Sequence, residues 1–332
     1  MATLTSRDQR PAASPSSALA GPVGWKSGGP RSVRSAVNPN ILIVSPVRNE
    51  ARHIERVVRS VAAQTLLPAR WIVLDDGSDD GTLELLRALQ SEVPFLTVVE
   101  RASLLDGARD RLARAAAPRA FNAGLAVTDW REYTHVMKLD GDIELEPGYF
   151  ADLLARFEAD PSLGLAGGVL VEPQADGSMR PIRIPDSHVH GALKLYTRAC
   201  FEAIGGVQER LGWDTIDEVY ARMHGFHARS FKDLVSVHHR PLGSADGTLR
   251  GRARHGECAY IAHYGPTWVA LRSLKVARTR PRVVSGLAFF YGYLRAAAVR
   301  TERVPDPAFR RFVRRELRQR MLGAVVPREV AS

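Results

Sequence analysis

Hydrophobic positions along the chain change period in a regular way. Ile41-Leu42-Ile43-Val44 is a short continuous apolar run, the pattern of a strand covered on both faces. Between Glu50 and Gln64 the apolar residues Ile54, Val57, Val58 and Val61 recur at helical spacing, which predicts an amphipathic helix. The alternation then repeats. Trp71–Leu74 reads as a strand, Thr82–Leu89 as a helix, Phe95–Val99 as a strand, Gly107–Leu125 as largely helical, and His135–Leu139 as a strand. Strand, helix, strand, helix predicts an α/β fold built on a doubly wound, mostly parallel sheet with helices on both faces. Beyond residue 142 the pattern is mixed. Leu163–Val171 and Ala228–Val237 read as strands, Ala192–Ile204 and Thr215–Met223 as helices. Residues 283–299 form an apolar, aromatic-rich stretch interrupted by Gly286, Gly292 and Arg295, and Arg310–Arg320 reads as a basic helix.

Composition sets the class. With 332 residues, 45% apolar and 25% charged, the chain can bury a sizeable core. Residues 1–37 are rich in Ser, Pro, Ala, Gly and Arg without periodicity and are expected to be a disordered leader. The formal net charge of +10 is uneven: residues 272–332 carry 15 Lys/Arg against four acidic residues, so the body is nearly neutral. Such a tail suits an anionic partner, lipid headgroups or nucleic acid. Cys200 and Cys258 are too few for a disulfide framework, and a reducing, cytoplasmic compartment is expected. No run approaches the ~18 apolar residues of a membrane span.

Two strands end in acid: Asp75-Asp76-Gly77-Ser78 and Asp140-Gly141-Asp142. In sheets of this kind ligands bind beyond the carboxyl ends of the strands, so both clusters belong on one edge. A Gly-X-Gly-X-X-Gly after the first strand is absent, which argues against a dinucleotide-dependent dehydrogenase. Two carboxylates two residues apart suit a hard divalent cation that also takes phosphate oxygens and water. A calcium loop fails: read from Asp140, its sixth and twelfth places are Leu145 and Ala151, and read from Asp76 the twelfth is Arg87.

These motifs, taken in order, resemble a family 2 glycosyltransferase of the GT-A fold over residues 40–240. The matching pieces are Ser45-Pro46-Val47-Arg48-Asn49-Glu50, Val73 through Thr82, Arg119-Ala120-Phe121-Asn122-Ala123-Gly124-Leu125, and Lys138-Leu139-Asp140-Gly141-Asp142. The resemblance implies a catalytic domain over 38–245, with a nucleotide-binding half at 38–142 and an acceptor half at 143–245. A basic helical extension over 246–332 follows. It also implies transfer of a sugar, with inversion, from a nucleotide diphosphate (a UDP-sugar foremost) to a hydroxyl acceptor, assisted by Mg²⁺ or Mn²⁺. Cell-envelope polysaccharide or glycolipid synthesis is the implied setting.

The resemblance assigns roles by residue. Pro46, Asn49 and Glu50 line the nucleotide pocket, Asp75 or Asp76 reads base or ribose, and Asn122, Lys138, Asp140 and Gly141 belong to the donor site. Asp140 and Asp142 hold the metal. The Asp75 cluster also has the composition of a turn and helix cap. An inverting transferase needs one carboxylate to deprotonate the acceptor hydroxyl. The family places it eleven residues before a glycine, which from Gly225 gives Asp214. Trp213 departs from the family's Glu at the preceding place, and Asp217-Glu218 offers a competing pair, so Asp214 and Asp217 both stand as candidates. His238-His239-Arg240 follows the last strand; only one imidazole can face the site, and His239 is assigned to the metal with Arg240 on diphosphate. His188 and His190 are candidates for the acceptor pocket.

Residues 283–299 and the basic tail read either as an interfacial element on an anionic membrane, at the inner face of the plasma membrane, or as a core helix followed by a solvated one. Two rival classes remain: a nucleotidyltransferase that forms nucleotide sugars, which lacks its glycine-rich phosphate loop here, and a nucleic-acid-binding protein using the tail. The near-neutral body and the lack of aromatic interleaving among the arginines of 310–320, where Phe312 is the one aromatic, argue against nucleic acid as the partner.

Overall fold

The computed structural model describes residues 39–103, 105, 107, 110–174, 176–240, 247–321 and 323. The leader expected over residues 1–37 and the last part of the basic tail, with Arg328 and Glu329, lie outside the described residues.

The first strand, β1 (Ile41–Val47), explains the apolar run with which the pattern begins. Ile41 and Ile43 point into one core, Leu42 and Val44 into another, because successive side chains leave opposite faces of a strand. Helices α1 (Ile54–Ala62) and α2 (Thr82–Glu92) cover the first face through Ile54, Val57, Val58, Val61, Leu86 and Leu89. Helix α3 (Ala116–Leu125) covers the second through Phe121 and Leu125. Strands β2 (Arg70–Asp75), β3 (Leu96–Glu100) and β4 (His135–Leu139) complete the parallel part of the sheet.

Among the described residues the sheet runs β3-β2-β1-β4-β8-β6-β9-β5, with β7 paired to β6. The added strands are β5 (Ile143–Leu145), β6 (Leu163–Pro173), β7 (Met179–Pro181), β8 (Leu193–Thr197) and β9 (His227–His238). Strand β8 is antiparallel to both neighbours, so the parallel order of the first half gives way to a mixed second half. Helix α4 (Tyr149–Ala159) packs Phe150, Leu153 and Leu154 on the same face as α1.

Two sequence expectations need correction. Among the described residues of Gly107–Leu125, the helix spans only Ala116–Leu125. Pro118 lies in the first turn of α3, where its missing N–H is not needed; a longer helix would have put that ring in the interior, where it removes a hydrogen bond and clashes. Ala192–Ile204 is not one helix. It is β8 followed by the short helix α5 (Arg198–Ala203). Leu193 and Leu195 face one core while Tyr196 faces the other, a period of two that the apolar content had hidden. The Thr197 hydroxyl then accepts from the Cys200 N–H at 3.2 Å and caps α5.

Helix α6 (Trp213–Met223) carries the acidic pair on its buried side. Four further helices follow: α7 (Thr248–Ile261), α8 (Pro266–Val276), α9 (Val284–Ala298) and α10 (Pro307–Met321). The basic helix α10 buries Phe309, Val313 and Leu317 against Ile216 and Val219 of α6. Among the described residues no helix is long and apolar enough to cross a membrane.

Candidate active site

The loop after β1 and the loop after β2 are tied together by short side chains. Asn49 takes up φ +58, a left-handed conformation that Asn tolerates better than most residues. Its backbone N–H donates to Ser78 Oγ at 2.9 Å, and its amide exchanges hydrogen bonds with Asp79 at 2.8 and 3.0 Å. The Glu50 N–H donates to Thr82 Oγ1 at 2.8 Å. Pro46 sits within β1, opposite Leu74.

Both carboxylates of the first acidic cluster are occupied. Asp75 is 1% exposed and accepts from the Ser78 N–H at 3.0 Å and from the Ser78 hydroxyl at 2.5 Å. Asp76 is held by Arg101 at 2.6 Å, by Arg111 and by Ser103 Oγ at 3.1 Å. Neither arginine was singled out from the sequence, which puts Arg101 just past a strand and Arg111 within the helical reading of Gly107–Leu125.

The second cluster ends β4. The register that sets Ile143 beside His238 brings the end of β9 against it. His238 Nε2 lies 3.4 Å from Asp142 Oδ2, and Arg240 Nε lies 4.0 Å from the same oxygen. Arg240 Nη2 is 2.7 Å from Glu50 Oε2, a charge contact without hydrogen-bond alignment, and donates to the Asn49 carbonyl at 3.1 Å. Burial alone would raise the Asp142 carboxyl; His238 and then Arg240 outweigh it and hold it below the usual carboxylate range. Burial, reinforced by Asp142, pushes Glu50 up to about 8 against the pull of Arg240. Gly141 packs so closely that a methyl group there would meet Val47 Cγ2 at 3.0 Å and Glu50 Cγ at 3.3 Å.

His239, assigned to the metal from sequence, is turned away from Asp142. Its Nε2 sits 2.7 Å from Glu144 and its Nδ1 3.1 Å from Arg56. The imidazole that reaches Asp142 is His238, its neighbour on the opposite side of the chain. Lys138 is buried and paired with Asp140 Oδ1. Asn122 is not brought to this cluster. Its amide donates to the Val207 carbonyl at 2.9 Å and borders a cavity of about 490 Å³ lined by Trp130 and Phe201.

Metal fit rests on one atom. Asp142 Oδ1 is buried without a hydrogen-bond partner, the condition of an oxygen that a hard cation satisfies. Among the described residues no group of three or more His, Cys, Asp or Glu is arranged to hold a metal ion. Asp142 thus fits a cation that takes its remaining ligands from diphosphate and water, the habit of Mg²⁺.

The two candidate bases differ sharply. Asp217 is 3% exposed; Lys194 Nζ lies 3.1 Å from both its oxygens and the Tyr196 hydroxyl donates to Oδ2 at 2.5 Å. Burial pushes its carboxyl up despite Lys194. Glu218 accepts from the Val189 N–H at 2.8 Å and contacts His188 at 3.0 Å. Asp214, in the first turn of α6, is half-buried, and among the described residues its carboxylate carries no hydrogen bond. It lies against Gly191, where an added Cβ would come within 3.1 Å of its own Cβ and 2.9 Å of the Trp213 ring. Trp213 also covers both lysines, with Lys138 Nζ 5.4 Å and Lys194 Nζ 5.5 Å from its ring. His190, the residue before Gly191, is pushed down to about 4 by burial and by the charges of His188 and His238, while Asp214 opposes the shift. His190 therefore stands within electrostatic reach of both His238 and Asp214.

Comparison with known proteins identifies the family and the fold. Residues 42–210 match the model of glycosyl transferase family 2, and the chain belongs to that family. The chain is 41% identical over 68 residues to the succinoglycan biosynthesis protein ExoA of Rhizobium meliloti (strain 1021); the match spans 20% of this chain and 21% of that protein. In fold it is similar to the mannosyltransferase PcManGT from Pyrobaculum calidifontis, solved in complex with GDP-Man and Mn²⁺. The TM-score is 0.52 at 20% identity, covering 88% of this chain and 82% of that one.

Proposed function

We propose that this glycosyltransferase moves a sugar from a nucleotide diphosphate, a UDP-sugar foremost, to a hydroxyl of a glycan or lipid-linked acceptor, with inversion. The observation that carries the reading is the buried Asp142 Oδ1 at the sheet edge, which has no hydrogen-bond partner while Oδ2 of the same carboxylate faces His238 and Arg240. Asn49 and Glu50 border the nucleoside, and Asp75 and Asp76 form the floor beneath it by fixing their loops. Mg²⁺ or Mn²⁺, held by Asp142 with Asp140 beside it, would offset the charge of the leaving diphosphate. Arg240 stands where it can share that task.

Asp214 acts as the base. It takes the acceptor hydroxyl proton as the oxygen bonds to the anomeric carbon, and the bond to the diphosphate oxygen breaks on the opposite side, releasing the nucleoside diphosphate. Asp217 serves as the buried partner of Lys194 and holds the start of α6 in place. The short match to ExoA, a succinoglycan biosynthesis protein, supports polysaccharide synthesis as the setting.

Product analysis tests the reaction. Incubation with nucleotide sugar and Mn²⁺ should release free nucleoside diphosphate, and Asp142→Ala should abolish the release. Pyrophosphate as the product would indicate nucleotidyl transfer instead, and full activity in the variant would remove Asp142 from the site.

A further inference from the structure

Helices α8 and α9 form an antiparallel hairpin whose outer side is apolar. The Tyr293 hydroxyl donates to the Tyr264 carbonyl at 2.9 Å at one end, and Gly286 lies against the Ser273 carbonyl and Ala277 at the other. One residue beyond each contact, the exposed side begins. Leu271 and Leu274 on α8 and Val284, Leu287, Tyr291 and Leu294 on α9 are between 45% and 66% exposed. On α9 they recur at helical spacing and form a stripe. Leu274 follows Ser273, and Leu287 follows Gly286, so each stripe is turned by ~100° from the line of contact. Because the helices are antiparallel, that same turn carries both stripes to one side of the hairpin. The result is a two-helix apolar plate. A plate of this kind is unusual for a surface that meets only water.

Charge decides what covers it. From Cys258 to Thr301 there is no acidic residue, whereas seven are basic. Arg272, Lys275, Arg278, Arg282 and Arg295 are exposed around the plate. A second copy of the chain placed face to face would set these cations against their own equivalents. Nucleic acid would satisfy the cations but leave the leucines wet. An anionic bilayer surface satisfies both, with leucines and Tyr291 among the acyl chains and the cations at the phosphates.

We propose that the α8–α9 plate is the membrane-docking face of this protein and that it binds anionic lipid bilayers. The basic helix α10, by contrast, spends its apolar side on α6 and does not form the docking face. The proposal does not depend on the sugar-transfer reading, because docking is measured without donor or acceptor.

The test is flotation of the full chain with phosphatidylcholine vesicles, with and without phosphatidylglycerol. The protein should float with the anionic vesicles and remain behind with the neutral ones, and raised salt should weaken the association. Leu274→Gln with Leu287→Gln should reduce binding roughly tenfold with an unchanged melting temperature, since both side chains are exposed. Should that pair fail to fold, Arg278→Glu with Arg282→Glu carries the same expectation. No flotation of the wild-type chain, or undiminished flotation of either folded variant, overturns the proposal. So does a lipid-free dimer that Leu274→Gln with Leu287→Gln dissociates, which would assign the plate to a second copy.

Discussion

Lys194 Nζ lies 3.1 Å from each carboxylate oxygen of Asp217, in a cluster where neither residue is more than 3% exposed. Strand β8 and helix α6 are pinned through this pair. Removing the lysine leaves Asp217 and Glu218 buried without their cation. Lys194→Met should therefore cost about 3–5 kcal/mol in urea unfolding. A cost under ~1 kcal/mol would show that the pair is not holding α6.

Asp214 should behave in the opposite way. Its carboxylate carries no hydrogen bond among the described residues, so Asp214→Asn should leave the unfolding midpoint near that of the wild-type chain. Donor binding should also persist. Turnover should fall by about 10²–10⁴, the contribution of a positioned general base. If transfer is unaffected in Asp214→Asn but lost in a stably folded Asp217→Asn, the roles are reversed.

His135 gives the fold an acid limit unrelated to catalysis. Its ring packs 5.2 Å from that of Phe157, and burial pushes it from 6.5 down to about 4. The folded state favours the neutral imidazole, so this contribution is complete above pH 6.5 and is lost as pH falls toward 4. The full loss is about 3 kcal/mol. His135→Gln should flatten the stability profile in that window when melting is followed against pH, and an identical slope in both chains would contradict it.

The α7–α9 crossing depends on two glycines. A methyl group on Gly292 would fall onto the Ala253 carbonyl, and one on Gly256 onto the Phe289 carbonyl. Gly292→Ala should force the helices apart and cost about 1–3 kcal/mol. Gly251→Ala, on the same α7 with nothing near the added methyl, should instead stabilise by about 0.5–1 kcal/mol. Equal effects at the two positions, read from melting temperatures, would deny the close crossing.

Much of this was legible before any coordinates. The apolar runs of β1, β2 and β4 and the 3.6-residue pattern of α1 needed only local information, and so did the acids at the strand ends. What escaped was set by tertiary contact. Ala192, Leu193, Lys194 and Leu195 look like helix formers, and only pairing with β4 and the Lys194–Asp217 contact make the segment a strand. The choice of His238 over His239 follows from the register of β9 on β5, which no pattern of two adjacent histidines reveals. Arg101 and Arg111 reach Asp76 across the fold, and the helical reading of Gly107–Leu125 gave Arg111 no reason to face it.

The central proposal is that Asp142 ties a divalent cation to the donor diphosphate. Its most direct test is the melting temperature of the full chain with UDP- and GDP-sugars, with Mn²⁺ or with chelator, in the wild type and Asp142→Asn. A fitting donor at 100 times its dissociation constant stabilises the fold by about 2.7 kcal/mol. The predicted result is a rise that requires both nucleotide sugar and Mn²⁺ and disappears in Asp142→Asn. An equal rise with chelator, or an undiminished rise in the variant, would contradict it.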